Sequence, residues 1–148
     1  MKQLLFNTQN DWIGPALRFT LGFIMLPHGA QKLFGMFGGY GYPGTMTFFT
    51  ETLKLPALIS FLVIVIEFFG ALALIAGFAS RMWALLFVAI MAGAIVTTNY
   101  KHGFFMNWFQ NQQGEGYEYH LLVIGLCVAL LAAGSGKFSV DRWLMGMW

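Results

Sequence analysis

Four apolar stretches run along this chain of 148 residues, and polar or glycine-rich segments separate them. They cover residues 12–34, 57–78, 82–98 and 117–134. About 20 apolar residues in a helix cross the roughly 30 Å hydrocarbon core of a bilayer, which makes each stretch a candidate membrane span. The pattern predicts an all-α integral membrane protein. Residues 1–148 would form one four-span domain, built as a four-helix transmembrane bundle.

The connections between these stretches differ in length. Ala79–Arg81 forms a tight turn between the second and third, so those two helices should be antiparallel. The other two connections, at 35–56 and 99–116, are long and rich in glycine and aromatic residues. Loops this long are uncommon unless they pack or function. We expect them to form a surface-lying outer loop on the membrane.

The segment after the fourth stretch predicts a short C-terminal helix. Ser139 can cap its start, and Asp141 would sit near its positive N-terminal end. Trp143 and Leu144 would rest this helix on the membrane interface.

Composition supports a lipid environment. Of the residues, 58% are hydrophobic, 18% aromatic and 9% charged, whereas a soluble domain carries about 25% charged residues. The net charge of +2 comes from scattered basic residues, which argues against a nucleic-acid partner. The single cysteine, Cys127, excludes an internal disulfide and a Cys-x-x-Cys redox pair.

The distribution of basic residues predicts the orientation. Cytoplasmic loops of membrane proteins carry an excess of Lys and Arg, so both termini should be cytoplasmic. The side of the termini carries Lys2, Arg18, Arg81, Lys137 and Arg142, and the side of the long connections carries Lys32, Lys54 and Lys101.

Glu67 lies inside the second apolar stretch. A carboxylate near the centre of a span costs about 2.5–3.5 kcal/mol, so we expect a partner or a function for it. Arg18 in the first span is the expected partner, and Asp141 is a rival partner for Arg18 from the cytoplasmic end. The pair would either lock helices together or relay protons toward the histidines.

Five polar side chains are predicted to lie at one depth, at the ends of the spans that meet the long connections: His28, Lys32, His102, Glu118 and His120. His28 and Lys32 are four residues apart and share a helix face. Three interpretations compete: polar side chains bonded to loops at headgroup level, a pocket for a quinone or similar small aromatic, and a metal or haem site. Isolated histidines without a ligand motif disfavour the third, so no bound metal or haem is expected.

Several short motifs together resemble the DoxX family of small bacterial four-span membrane proteins. They are Arg18 with Gly22, His28-Gly29-x-x-Lys32, Glu67-x-x-Gly70, Gly77-Phe78-x-x-Arg81, His102-Gly103-Phe104, Gly116-Tyr117-Glu118 and Gly134-x-Gly136-x-x-Ser139-Val140-Asp141. The resemblance implies a multi-pass protein of the bacterial plasma (inner) membrane with redox associations. Relatives are linked to a thiosulfate:quinone oxidoreductase, to oxidative-stress complexes and to quinone or catechol detoxification.

We therefore interpret the chain as a membrane subunit of a quinone-linked redox or oxidative-stress system, with a quinone-like pocket at the outer headgroup level. No redox cofactor motif is visible, so electrons would come from a redox partner protein or a quinone. Whether the chain is itself an oxidoreductase stays open, as does a homo-oligomer.

Two alternatives remain. The first is a non-catalytic scaffold or assembly factor, which would take up a partner helix at Ala89 and Gly93. The second is a small-solute transporter, although the third span offers almost nothing polar before Thr97.

Overall fold

The computed structural model describes Phe6 and residues 8–146, and every regular element among them is helical. The α-helices within residues 8–146 are α1 (Ile13–Phe34), α2 (Gly41–Thr47), α3 (Ala57–Ala76), α4 (Ser80–Ala94), α5 (Glu118–Ala133) and α6 (Val140–Leu144). The all-α prediction is confirmed, and the four longest helices match the four apolar stretches. Lys2, used in the orientation argument, lies outside the described residues.

Two helices among the described residues are long and apolar enough to cross a membrane. One is α3, and the other is α4 with its π-helical and 3₁₀ extension, which together form the 23-residue segment Ser80–His102. At 16 residues α5 is shorter, and α1 carries Arg18, His28 and Lys32, which lower its mean hydropathy.

The four long helices pack in a ring. α1 packs most extensively against α3 and also contacts α5, while α4 packs against α5 and α3. A buried apolar core lies between them, made of Leu21, Met25, Ala71, Leu74, Ala84, Phe87, Met91, Val123, Cys127 and Leu130.

Glycines allow α1 to lie directly against α3. A Cβ atom on Gly29 would stand 2.6 Å from the backbone nitrogen of Phe68, and one on Gly22 would stand 3.0 Å from the carbonyl oxygen of Ala71. Small residues of this kind let membrane helices approach at backbone distance. This contact fixes how α1 and α3 are aligned along their axes. The alignment determines which charged residues of the two helices lie opposite each other.

Both long connections are structured. The first contains α2 and a π-helical turn at Phe48–Thr52. In the second connection, the backbone nitrogens of Tyr117 and Glu118 donate hydrogen bonds to the carbonyls of Gly103 and Phe104, at 3.2 and 2.9 Å. These bonds join the two ends of the connection.

The short C-terminal helix is present as α6. The Ser139 hydroxyl accepts a hydrogen bond from the backbone nitrogen of Arg142 at 3.2 Å, which confirms the predicted cap. Trp143 is 60% exposed, as expected of a side chain available to an interface.

Candidate functional site

A cavity of about 520 Å³ opens between α3 and α4. α1 and α5 close its inner wall, and the two long connections cover one end. Its polar lining residues are His28, Lys32, Glu67, Thr97, Asn99, Glu115, Tyr119 and His120. Its apolar lining residues are Met25, Phe49, Leu55, Ile59, Leu62, Val63, Ile66, Leu86, Ala89, Ile90, Met91, Gly93, Ala94 and Met106.

An ion pair lies at the inner wall of this cavity. The ammonium of Lys32 on α1 stands 2.5 Å from Oε2 of Glu67 on α3. The Glu67 side chain is only 4% exposed, while that of Lys32 is 27% exposed. The carboxylate is thus almost fully buried, and the cation keeps one side open toward the cavity.

The predicted pairing of Glu67 with Arg18 is wrong. The close contact at Gly29 places the Lys32 end of α1 beside Glu67. Arg18 lies fourteen residues earlier, about 21 Å along the helix at 1.5 Å per residue. It lies instead beside Gly77, at the other end of α3.

His28 and His120 join the ion pair in the cavity wall. The ring centroid of His28 lies 5.7 Å from that of Tyr119. In the described part of the chain, Nδ1 of His120 is buried without a hydrogen-bond partner. A buried polar atom without a partner is costly, which sets His120 apart among the residues of the cavity wall.

The other two predicted site residues do not line the cavity. The Glu118 carboxylate accepts a hydrogen bond from the backbone nitrogen of Met106 at 3.2 Å. The His102 ring packs so closely on Gly114 that a Cβ atom there would stand 2.6 Å from Nε2. Glu118 thus bonds to the second connection, and the His102 ring packs against it.

Four polar lining residues were not among the predicted site residues: Thr97, Asn99, Glu115 and Tyr119. Tyr119 lies between Glu118 and His120, and its hydroxyl contacts the Met25 sulfur at 3.6 Å. Asn99 donates from Nδ2 to the Glu115 backbone carbonyl at 2.9 Å, which holds the end of the second connection over the cavity. Asn99 and Glu115 lie at the two ends of that connection, and this position could have identified them as residues near the cavity.

Arg18 occupies a separate site at the opposite end of the helices. Its side chain is fully buried, at 0% exposure. The guanidinium donates hydrogen bonds to the backbone carbonyls of Leu74, Ile75, Ser135, Lys137 and Phe138, at 2.5–3.5 Å. It thereby ties α1 to the end of α3 and to the segment before α6.

Asp141 belongs to this same site. Its carboxylate accepts hydrogen bonds from the backbone nitrogens of Ala79 and Ser80, at 2.6 and 3.1 Å, and from the Ser135 hydroxyl. Burial raises the pKa of the Asp141 carboxyl, and these hydrogen bonds together with the Arg18 charge oppose that rise. Asp141 and Arg18 thus lie at the same end of the helices and their charges interact, but the hydrogen bonds of each go to other groups, so a direct ion pair between them stays a prediction.

Comparisons with known proteins show the family of this chain. A family model described as DoxX matches residues 15–100. The protein named "Putative oxidoreductase CatD" of Bacillus subtilis (strain 168) is 31% identical over 128 residues, which cover 86% of this chain and 84% of the relative. The "Inner membrane protein YqjF" of Escherichia coli (strain K12) is 32% identical over 108 residues, which cover 73% of this chain and 78% of the relative. No solved structure matches the chain. The helical fold, the apolar segments and these matches together make the chain a membrane protein of the DoxX family.

Proposed function

We propose that this protein is a plasma-membrane subunit of a quinone-linked redox or oxidative-stress system, and that the cavity between α3 and α4 binds a quinone-like molecule. The observation that carries the proposal is the division of the cavity wall. Lys32, Glu67, His28 and His120 are grouped on one part of it, and apolar side chains form most of the remainder.

The wall fits a flat ring with oxygen acceptors. An ammonium has three donors, and Glu67 takes one of those of Lys32, so the others can reach a ring oxygen. The His120 side chain, which also lines the cavity, supplies a second polar contact. Met25 and Met91 offer polarisable sulfurs, which make favourable contacts with aromatic rings. A volume of about 520 Å³ is in the range of small-molecule sites, about 300–1,000 Å³.

The proposal places the protein across the membrane four times, with both termini in the cytoplasm. Charged residues in α1 are compatible with a span because Arg18 and Lys32 have partners within the protein, which lowers the cost of placing them in lipid. The cavity then lies toward the outer headgroup level, below the two long connections.

A redox role is supported by a relative, since the Bacillus subtilis protein carries the name of an oxidoreductase, qualified there as "Putative". Electrons for the bound molecule would come from a partner protein. The same cavity weighs against a scaffold, because Ala89 and Gly93 line it instead of forming a separate helix-docking face.

Replacing His120 with glutamine is expected to weaken binding of a benzoquinone analogue by about tenfold, since a lost hydrogen bond costs about 1 kcal/mol and leaves its partner unpaired. The measurement is a fluorescence titration of purified protein. His102→Gln is the matched control, because it removes the same ring from a place outside the cavity.

The two histidine variants separate the cavity from the loop. An equal loss of quinone affinity in both variants, or no loss in either, would contradict a quinone site that contains His120. Absence of saturable binding to the unaltered protein would remove the proposed function altogether.

A further inference from the structure

The cavity has an apolar opening between α3 and α4. Ile59 and Leu62 on α3 are 48% and 42% exposed although they line the cavity, and Ala89 and Gly93 on α4 are also exposed. A Cβ atom on Gly93 would have no other atom within 4 Å. The two helices are therefore not in contact at this level.

Nearer their connecting turn, the same helices touch. A Cβ atom on Gly70 would stand 2.8 Å from the Trp83 ring and 3.2 Å from that of Phe87. The gap is consequently closed at the turn and open farther along, where both helices line the cavity.

The opening lies at the depth of the hydrocarbon. Gly93 is nine residues before His102, the end of the apolar segment, which is about 14 Å at 1.5 Å per residue. Leu62 is five residues after the start of α3, or about 8 Å. Both helices are long and apolar enough to cross a membrane, so this opening faces acyl chains and not water.

We propose that the gap is a lateral portal, through which a quinone with a long apolar tail enters from the bilayer. This inference rests on the proposed function and narrows its substrate class to membrane-soluble, tailed quinones. The ring would reach Lys32 and His120, and the tail would lie in the gap beside Gly93.

Other occupants fit less well. An acyl chain would fill the gap but would bring no acceptor to Lys32 or His120. A partner helix is about 10–12 Å wide with its side chains, so it would cover the opening and leave the cavity behind it empty. A ligand with a polar ring and an apolar tail matches both parts of the wall.

The test compares two probes in lipid nanodiscs: a dimethoxy-methyl-benzoquinone without a tail, and the same ring with a decyl tail. Binding is corrected for partition into lipid. Gly93→Leu should weaken binding of the tailed probe by about tenfold or more, since each buried methylene contributes about a fourfold factor. Binding of the tailless probe should stay within about twofold.

Gly125→Leu is the matched control, because Gly125 is also an exposed helical glycine with open space around its Cβ position, yet lies outside the cavity. It should leave both affinities unchanged. Ala89→Leu changes a second residue of the gap beside Gly93 and should also weaken binding of the tailed probe alone. Agreement between Gly93→Leu and Ala89→Leu shows that the effect does not come from misfolding of one variant.

The outcomes distinguish failure of the lateral portal from failure of the proposed quinone binding. Unchanged binding of the tailed probe in both portal variants overturns the portal, as does an equal loss of both probes. Binding of neither probe to the unaltered protein overturns the proposed function itself.

Discussion

Replacing Lys32 with methionine should lower the free energy of unfolding by about 3 kcal/mol or more, because it leaves the Glu67 carboxylate buried without its partner. Glu67→Gln should cost less, about 1 kcal/mol, since the Lys32 side chain is 27% exposed and keeps access to the cavity. This asymmetry follows from the 4% exposure of the Glu67 side chain.

The double variant Lys32→Met with Glu67→Gln should recover most of the loss, since no unpaired charge remains. Unfolding of the four proteins in detergent by heat or denaturant measures these differences. If the loss of unfolding free energy in the double variant equals the sum of the losses in the two single variants, the side chains do not act as a pair.

Replacing Arg18 with alanine is expected to destabilise the protein by about 4 kcal/mol or more, enough to reduce its accumulation in the membrane. Its guanidinium serves carbonyls of two separate segments, around Ile75 and around Phe138. Removing it takes the hydrogen-bond donors from these carbonyls and the Arg18 charge from the buried carboxylate of Asp141. Thermal unfolding of the purified variant and its yield per cell both report the effect.

Arg18→Lys is the charge-conserving variant to compare with Arg18→Ala. Lysine keeps the charge but offers three donors instead of five, so a smaller loss of stability is expected. Quinone binding should be unaffected in this variant, because the Arg18 site lies about 21 Å from the level of Lys32 along α1. A large loss of binding without a loss of stability would contradict this separation of the two sites.

The helices were predictable because length and apolarity determine them. The expected stretch at 12–34 corresponds to Ile13–Phe34 and that at 57–78 to Ala57–Ala76. α3 ends at Ala76, and the next residue, Gly77, has a positive φ of 70°, which is a common left-handed ending of a helix. Four membrane crossings remain a prediction from the same pattern.

The pairing within the site was not predictable by the same reasoning. Counting residues along a helix places Glu67 near the middle of a span, but it does not say which level of α1 faces it. That level is set where Gly29 meets the backbone of Phe68, a contact between residues far apart in sequence. Lys32 was predicted as a site residue and lines the cavity, but the sequence argument did not identify it as the partner of Glu67.

The histidines show the limit of arguments from depth. His28 and His120 lie on helices, where periodicity fixes their direction, and both reach the cavity. His102 lies at the end of the extended third apolar segment, where local packing on Gly114 decides the position of its ring. Depth alone could not distinguish these cases.

Photoaffinity labelling with an azido-benzoquinone, followed by peptide mass spectrometry, tests the central claim most directly. The account predicts that label will attach to the residues that line the cavity: near Lys32 on α1, between Ile59 and Glu67 on α3, between Leu86 and Thr97 on α4 and its π-helical extension, or near His120 on α5. Excess unlabelled quinone should prevent this labelling. Label confined to the Arg18 end of the protein, or insensitive to competition, would contradict a quinone site in this cavity.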